Sequence, residues 1–276
     1  MNFAFSSNAF KKHSLSETIR FISNAGYSGI EIMCDRPHLW PEDVSLDELK
    51  SIRALLYENG LAVSNISAFM MCAIQDFLHP SWIEPDKSYR ALRVAHTLKC
   101  IDIAAALGAR TISTEPGGPL DGMDRAIATE IFMEGLSRAV SYAEEKGIRV
   151  LIEPEPNLLI ETSDQFLAFA NAFGKDRIGL NLDIGHAYCV GENPVEKVLA
   201  LKEFIGHFHI EDIPASREHR HMMFGEGGID IKQVLKAIEQ IDYRGFVTVE
   251  LYTYQDCAPQ IARKSRQYLK DVCGYE

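Results

Sequence analysis

The feature that most constrains this chain is a pattern repeated four times in its second half, a short apolar run that stops on an acid or a histidine. The runs are Arg149-Val-Leu-Ile-Glu153, Ile178-Gly-Leu-Asn-Leu-Asp183, Phe204-Ile-Gly-His-Phe-His209 and Phe246-Val-Thr-Val-Glu250. Runs of about 4–8 apolar and β-branched residues separated by helical patterns predict parallel strands buried on both faces. The carboxyl ends of such strands meet along one edge, where ligands of α/β sheets and barrels bind. Two glutamates, an aspartate and a histidine gathered there make an oxygen-and-nitrogen pocket for one divalent cation. Side chains alternate along a strand, so Asn181 shares a face with Asp183, His207 with His209 and Thr248 with Glu250. Buried charge on that face needs a cation or hydrogen bonds to persist. Carboxylates and an imidazole without a thiolate suit Mn²⁺, Mg²⁺, Co²⁺ or Zn²⁺.

The alternation runs through the whole chain. Strands are expected at Asn2–Ser7, Gly29–Met33, Leu61–Ser67, Ala109–Thr114, Ile148–Glu153, Arg177–Leu182, Phe204–Ile210 and Gly245–Glu250. Helical spacing covers Ser16–Ala25, Leu46–Glu58, Ser88–Leu107, Arg125–Lys146, Ser163–Phe173, Pro194–Lys202, Asp230–Ile241 and Pro259–Val272, often with glycine as the stop. Eight strand-then-helix units in order predict an α/β protein, one (β/α)8 barrel occupying residues 1–276 as a single domain. An open doubly wound sheet would carry a Gly-rich turn after the first strand, where this chain has Ser6-Ser-Asn-Ala-Phe10. Long connections such as Ala68–Lys87 are usually lids or binding loops. Phe69, Met70, Met71, Phe77 and Trp82, together with Trp40, are expected to wall a pocket from water.

Composition narrows the partners. A net charge of −11 argues against a nucleic-acid surface, which needs clustered Lys and Arg. No apolar run approaches the ~18 residues of a membrane span, and the N-terminus shows no basic-then-apolar signal segment. A soluble, cytoplasmic protein is expected, with its six cysteines, none in a CxxC pair, as reduced thiols. Barrels with long loops often pair, so a homo-oligomer is one expectation.

The order Ile152-Glu153, Leu182-Asp183-Ile-Gly-His186, His207-Phe-His209-Ile-Glu-Asp212 and Val249-Glu250, with Arg220-His221 ahead of Gly225-Glu-Gly-Gly, resembles the xylose isomerase-like superfamily of (β/α)8 barrels. That superfamily includes sugar 3-epimerases, inosose isomerases and dehydratases, hydroxypyruvate isomerases and endonuclease IV. The resemblance covers essentially the whole chain. It implies Glu153, Asp183, His209 and Glu250 as metal ligands, His186 and Arg220 on substrate oxygens, and Glu153 and Glu250 also as acid and base. The implied chemistry is isomerisation or epimerisation of a small polyhydroxylated carbonyl compound through an enediolate, with the two carboxylates moving the proton. A lyase that expels the β-hydroxyl, of inosose or dehydroshikimate type or as a C-glycoside-cleaving subunit, is the alternative. Endonuclease IV would need further histidines where this chain has Cys34, Ser67 and Glu115.

Several residues stay open on sequence grounds. His186 fits a hydroxyl donor, a second metal ligand or a backbone-satisfied loop residue. Arg220, with His219 and His221, fits a substrate, anion or metal cluster or a solvated loop. Glu155 and Glu115 fit sugar hydroxyls or helix caps equally. His96 and Cys100 read as packing on one helix face.

Overall fold

Eight parallel strands close on themselves in sequence order. They are β1 Asn2–Ser6, β2 Gly29–Met33, β3 Ala62–Ser67, β4 Thr111–Thr114, β5 Arg149–Ile152, β6 Ile178–Asp183, β7 Ile205–Ile210 and β8 Phe246–Val249. β1 pairs with β8, with Phe5 opposite Val249, and this ladder shuts the barrel. The computed structural model describes residues 1–69, 76 and 78–275. The expected (β/α)8 barrel is the fold, and the helical segments lie between successive strands as α1 Leu15–Asn24, α2 Leu46–Glu58, α3 Lys87–Leu107, α4 Arg125–Glu145, α5 Ser163–Phe173, α6 Ile184–Cys189, α7 Pro194–Ala200 and α8 Ile231–Gln240, with α9 Ala258–Asp271 after β8.

Local chemistry starts these helices where it does. Ser14 with Glu17, Ser45 with Glu48 and Thr162 with Gln165 form reciprocal capping boxes. Asp86, Asp124 and Asp230 cap α3, α4 and α8 through their carboxylates. Between α4 and α5, Phe132 stacks on Phe169 at 5.0 Å, and Phe166 of α5 meets Phe204, just ahead of β7, edge-on at 5.6 Å. Inside the barrel, Leu151 lies over Gly179 and Gly206, where an added Cβ would sit 2.5 and 2.6 Å from its methyls. Only glycine leaves room for that side chain.

Three short elements depart from expectation. α6 follows Asp183 directly where a loop was expected, and 3-10 turns at Ser7–Phe10 and Tyr252–Cys257 follow β1 and β8. Six residues or fewer are too few to show a helical period. Trp40 and Trp82 also differ from the expected pocket walls. Trp40 stacks on His96 of α3 at 5.1 Å and borders a cavity of about 600 Å³ lined by α1 and α2 residues such as Leu15 and Leu55. Trp82 is fully buried against Phe132 and Gly135 of α4, with Nε1 donating to Thr114 Oγ1 at 2.9 Å. Both rings pack the scaffold. Met70, Met71, Cys72 and Phe77 lie outside the described residues. Among the described residues the cysteines are free, Cys100 Sγ sits 3.3 Å from His96 Nε2, and no helix is long and apolar enough to cross a membrane.

Candidate metal centre

Glu153 follows the last residue of β5, Asp183 ends β6, His209 is the penultimate residue of β7, and Glu250 follows β8. The structure brings these four together at the carboxyl ends of the strands, with one donor atom from each lying within 4.8 Å of the others. His209 Nδ1 is the hub, 2.9 Å from Glu153 Oε1, 3.5 Å from Glu250 Oε2 and 3.8 Å from Asp183 Oδ2. Amides tie back the remaining carboxylate oxygens. Asn181 Nδ2 donates to Glu153 Oε2 at 2.9 Å, and Asn8 Nδ2 donates to Glu250 Oε1 at 2.8 Å. Asp183 Oδ1 accepts the His186 N–H at 2.7 Å, capping α6.

The donor set fits a divalent cation. All four residues are buried, and Asp183 Oδ2 is sealed from solvent without a hydrogen-bond partner. Such an oxygen is a standing desolvation penalty that a cation would relieve. Burial raises the proton affinity of Glu153 and, strongly, of Glu250, with the charge of His209 opposing it in both. Burial pulls His209 the other way, but the carboxylates of Glu250, Glu31 and Glu153 overcome it and hold the imidazole well above its usual range.

A second tier flanks this cluster. His186 Nδ1 lies 3.0 Å from the Pro154 carbonyl, and His221 Nδ1 lies 3.0 Å from the Glu250 carbonyl. Each imidazole therefore donates to backbone from Nδ1 and keeps the lone pair on Nε2. Burial pushes His186 well below its usual range and His221 down to about 3, so both are neutral. His186 Nε2 lies 3.4 Å from Glu155 Oε2, and His219 Nδ1 lies 3.6 Å from Glu155 Oε1. His186, His219 and His221 offer donor atoms within 4.8 Å of one another.

The other sequence candidates divide. Glu155 joins this tier, and it does not cap α5, whose cap is Thr162. Glu115 stands apart, with Oε1 3.3 Å from Arg93 Nε and both residues fully buried. It is not the cap of α4 either, because Asp124 is. Arg220 is exposed on the β7–α8 loop, where its charge reaches the Tyr254 hydroxyl.

Residues 19–272 match the xylose isomerase-like TIM barrel family. The chain belongs to that family. Similar proteins include the inosose dehydratase of Clostridium beijerinckii, 24% identical over 96% of this chain and 92% of its own. Another is the fructoselysine 3-epimerase of Shigella flexneri, 25% identical over 90% of this chain and 88% of its own. Both relatives are enzymes. A crystal structure of the IOLI protein with a bound zinc atom shares the fold, with a TM-score of 0.80 at 19% identity over 99% of this chain and 98% of that one.

Sequence reasoning passed over three residues that the structure sets against the four-residue cluster. Asn8 is not singled out by the sequence, and its place in the turn after β1 carries no sequence signal. Glu211 is fully buried with Oε1 accepting the Gly185 N–H at 2.7 Å, and a Cβ on Gly185 would run into that carboxylate. Glu31 is the third, a fully buried acid between Ile30 and Ile32 in β2, and an acid inside a strand buried on both faces was the available signal.

Proposed function

We propose that this chain is a metal-dependent enzyme that isomerises or epimerises a small polyhydroxylated carbonyl compound, a ketose, an inosose or a relative, through an enediolate. The observation that carries this reading is the approach of two carboxylates, Glu153 and Glu250, to one imidazole nitrogen from strands three apart in the barrel. Glu153, Asp183, His209 and Glu250 would hold a divalent cation of the Mn²⁺, Mg²⁺, Co²⁺ or Zn²⁺ class, which supplies Lewis acidity toward the substrate carbonyl when bound. Glu153 and Glu250 then serve as base and acid, taking a carbon-bound proton from one side of the substrate and returning it from the other or to the neighbouring carbon. Their amide tethers from Asn181 and Asn8 fix the orientation of each carboxylate. His186 and Glu155 offer a pair 3.4 Å apart for a substrate hydroxyl. Arg220, between His219 and His221 in the same loop, would meet a substrate oxygen.

The likeness to an inosose dehydratase favours a second reading, in which the same proton abstraction is followed by loss of the β-hydroxyl. The reading takes a small molecule as the partner, in keeping with the net charge of −11, and excludes nucleic acid. It places the chain in the cytoplasm, as a monomer or a homo-oligomer. The test is deuterium uptake from heavy water into a panel of ketoses and inososes by Mn²⁺-loaded protein, with products analysed for dehydration. Glu153→Gln and Glu250→Gln should each lose exchange by at least about 100-fold. A fully metal-loaded chain that exchanges no carbon-bound proton across the panel would sink the reading.

A further inference from the structure

The interior of a (β/α)8 barrel is ordinarily filled by branched apolar side chains, yet β2 sends a carboxylate into it at Glu31. This group is fully buried, and polar side chains meet both of its carboxylate oxygens. Glu31 Oε1 accepts the Ser6 hydroxyl at 2.8 Å, and Oε2 accepts Asn65 Nδ2 at 2.9 Å. His209 Nε2 lies 2.8 Å from the same Oε2, and His207 Nε2 lies 3.5 Å from it. Asn65 is itself locked, donating to Ser113 Oγ at 2.9 Å and accepting from Thr111 Oγ1 at 2.8 Å. The β2–β3 ladder shifts register between Ile30 and Glu31, which sets Glu31 opposite Asn65. Irregularities of this kind commonly re-aim a side chain beside a site.

His209 thus has two faces with different neighbours. Nδ1 looks at Glu153, Glu250 and Asp183, and Nε2 looks at Glu31. When a cation takes the place of one ring proton, the imidazole is left with one N–H and one lone pair, so the group that accepts the N–H decides which nitrogen binds the cation. We propose that Glu31 is a positioning residue: it takes the Nε2–H of His209, fixes the ring plane, and presents the Nδ1 lone pair to the cation, with Ser6 and Asn65 holding Glu31 in turn. This rests on the four-residue cluster being a cation site. Isolating a carboxylate in the barrel interior is costly, and an orienting role accounts for its retention. Partners of this kind typically contribute 10–100-fold in metal affinity.

The test uses the full chain stripped with a chelator and titrated with Co²⁺, read by ligand-field absorption in the visible and by competition with Mn²⁺. Glu31→Gln, nearly isosteric, should weaken Co²⁺ binding about 10-fold, and Glu31→Ala about 100-fold, both with an altered absorption envelope. In a His209→Ala background, Glu31→Gln should change affinity by less than about twofold, because the histidine through which it acts is gone. Far-UV circular dichroism confirms folding, and Glu31→Gln carries the test if Glu31→Ala does not fold. A folded Glu31→Gln that binds Co²⁺ within twofold of wild type and with an unchanged spectrum overturns the proposal while leaving the cation site intact. An equal loss in both backgrounds also overturns it, in favour of a through-space charge effect. A wild-type chain that binds no Co²⁺ overturns the cation site as well.

Discussion

Asp212 ties the β7–α8 loop together, and its removal should open that loop. Its Oδ1 accepts the N–H groups of Ile213 and Ile229, both at 2.9 Å, and its Oδ2 accepts those of Gly225 and Gly227 at 3.0 and 2.8 Å. The Asp212 backbone also pairs with Met222 through bonds of 3.0 and 2.7 Å. The loop so anchored carries His219 and His221 to the site. A hydrogen bond to a charged group contributes roughly 1.5–3 kcal/mol, so four of them set an upper bound of roughly 6–12 kcal/mol. Local opening lets water reach the glycine amides and limits the loss. For Asp212→Ala we expect a fall of about 4 kcal/mol, or roughly 10 °C in Tm for a chain of this size. Asp212→Asn keeps one acceptor oxygen but turns an NH₂ toward two N–H groups, so about half that loss is expected. Gly227→Ala should resemble Asp212→Ala, because its Cβ would strike the Ile213 carbonyl and the Asp212 carboxylate. Calorimetry gives the Tm, and amide exchange resolved to residues 211–230 reports the loop. If Asp212→Ala melts within 2 °C of wild type and leaves protection of that segment unchanged, the anchoring argument fails.

Three further outcomes follow from other parts of the molecule. Burial, opposed by Arg93, holds the Glu115 carboxyl up at about 7, above its ordinary value of 4.5. Between those values the unfolded chain loses its proton first, so the contribution of Glu115 to stability is fully present below pH 4.5 and is lost as pH rises through about 7, by about 3 kcal/mol at 1.36 kcal/mol per unit. Glu115→Gln should flatten that slope in urea titrations at pH 5 and 8, and an unchanged slope would remove Glu115 as its source. Gly179→Ala should destabilise by about 1–3 kcal/mol in urea titrations through overpacking against Leu151, with Leu151→Ala in the same chain recovering part of the loss. Mn²⁺ at about 100 times its dissociation constant should add about 2.7 kcal/mol, seen as a rise of roughly 5 °C in Tm, and EDTA should reverse it.

The barrel was legible because its punctuation is local. Ser45 with Glu48 and Thr162 with Gln165 announce helix starts three residues apart. Gly108, at φ 79°, ends α3 in a left-handed conformation that few other residues adopt. The strand ends at Glu153, Asp183, His209 and Glu250 were legible for the same reason, each being the last word of an apolar run. Trp82 was not. Its position in a long connection suggested a pocket wall, and the feature that draws it inward is the space above Gly135, 53 residues further along in α4. α6 was missed because its helical signal is one turn and a half, with a capping aspartate that also reads as the end of a strand.

The inward face of each site strand shows why the centre itself was only partly readable. Two residues before the cluster acids stand Leu151, Asn181 and Thr248, and before those stand Arg149, Gly179 and Phe246. Charge at the rim is thus mostly set on uncharged residues below, a gradation that period-two alternation can anticipate strand by strand. Glu31 breaks it. Its neighbours come from β1, β3 and β7, so no window of sequence contains the hydrogen bonds that make it tolerable. Read alone, an acid between two isoleucines conflicts with a buried strand, and a local rule broken inside an otherwise consistent fold commonly marks function. What turns that conflict into a role is the other nitrogen of His209. A carboxylate bonded only to Ser6 and Asn65 would be a buried polar pair of no consequence, whereas one bonded to the back of the ring that faces Glu153, Asp183 and Glu250 is connected to the chemistry.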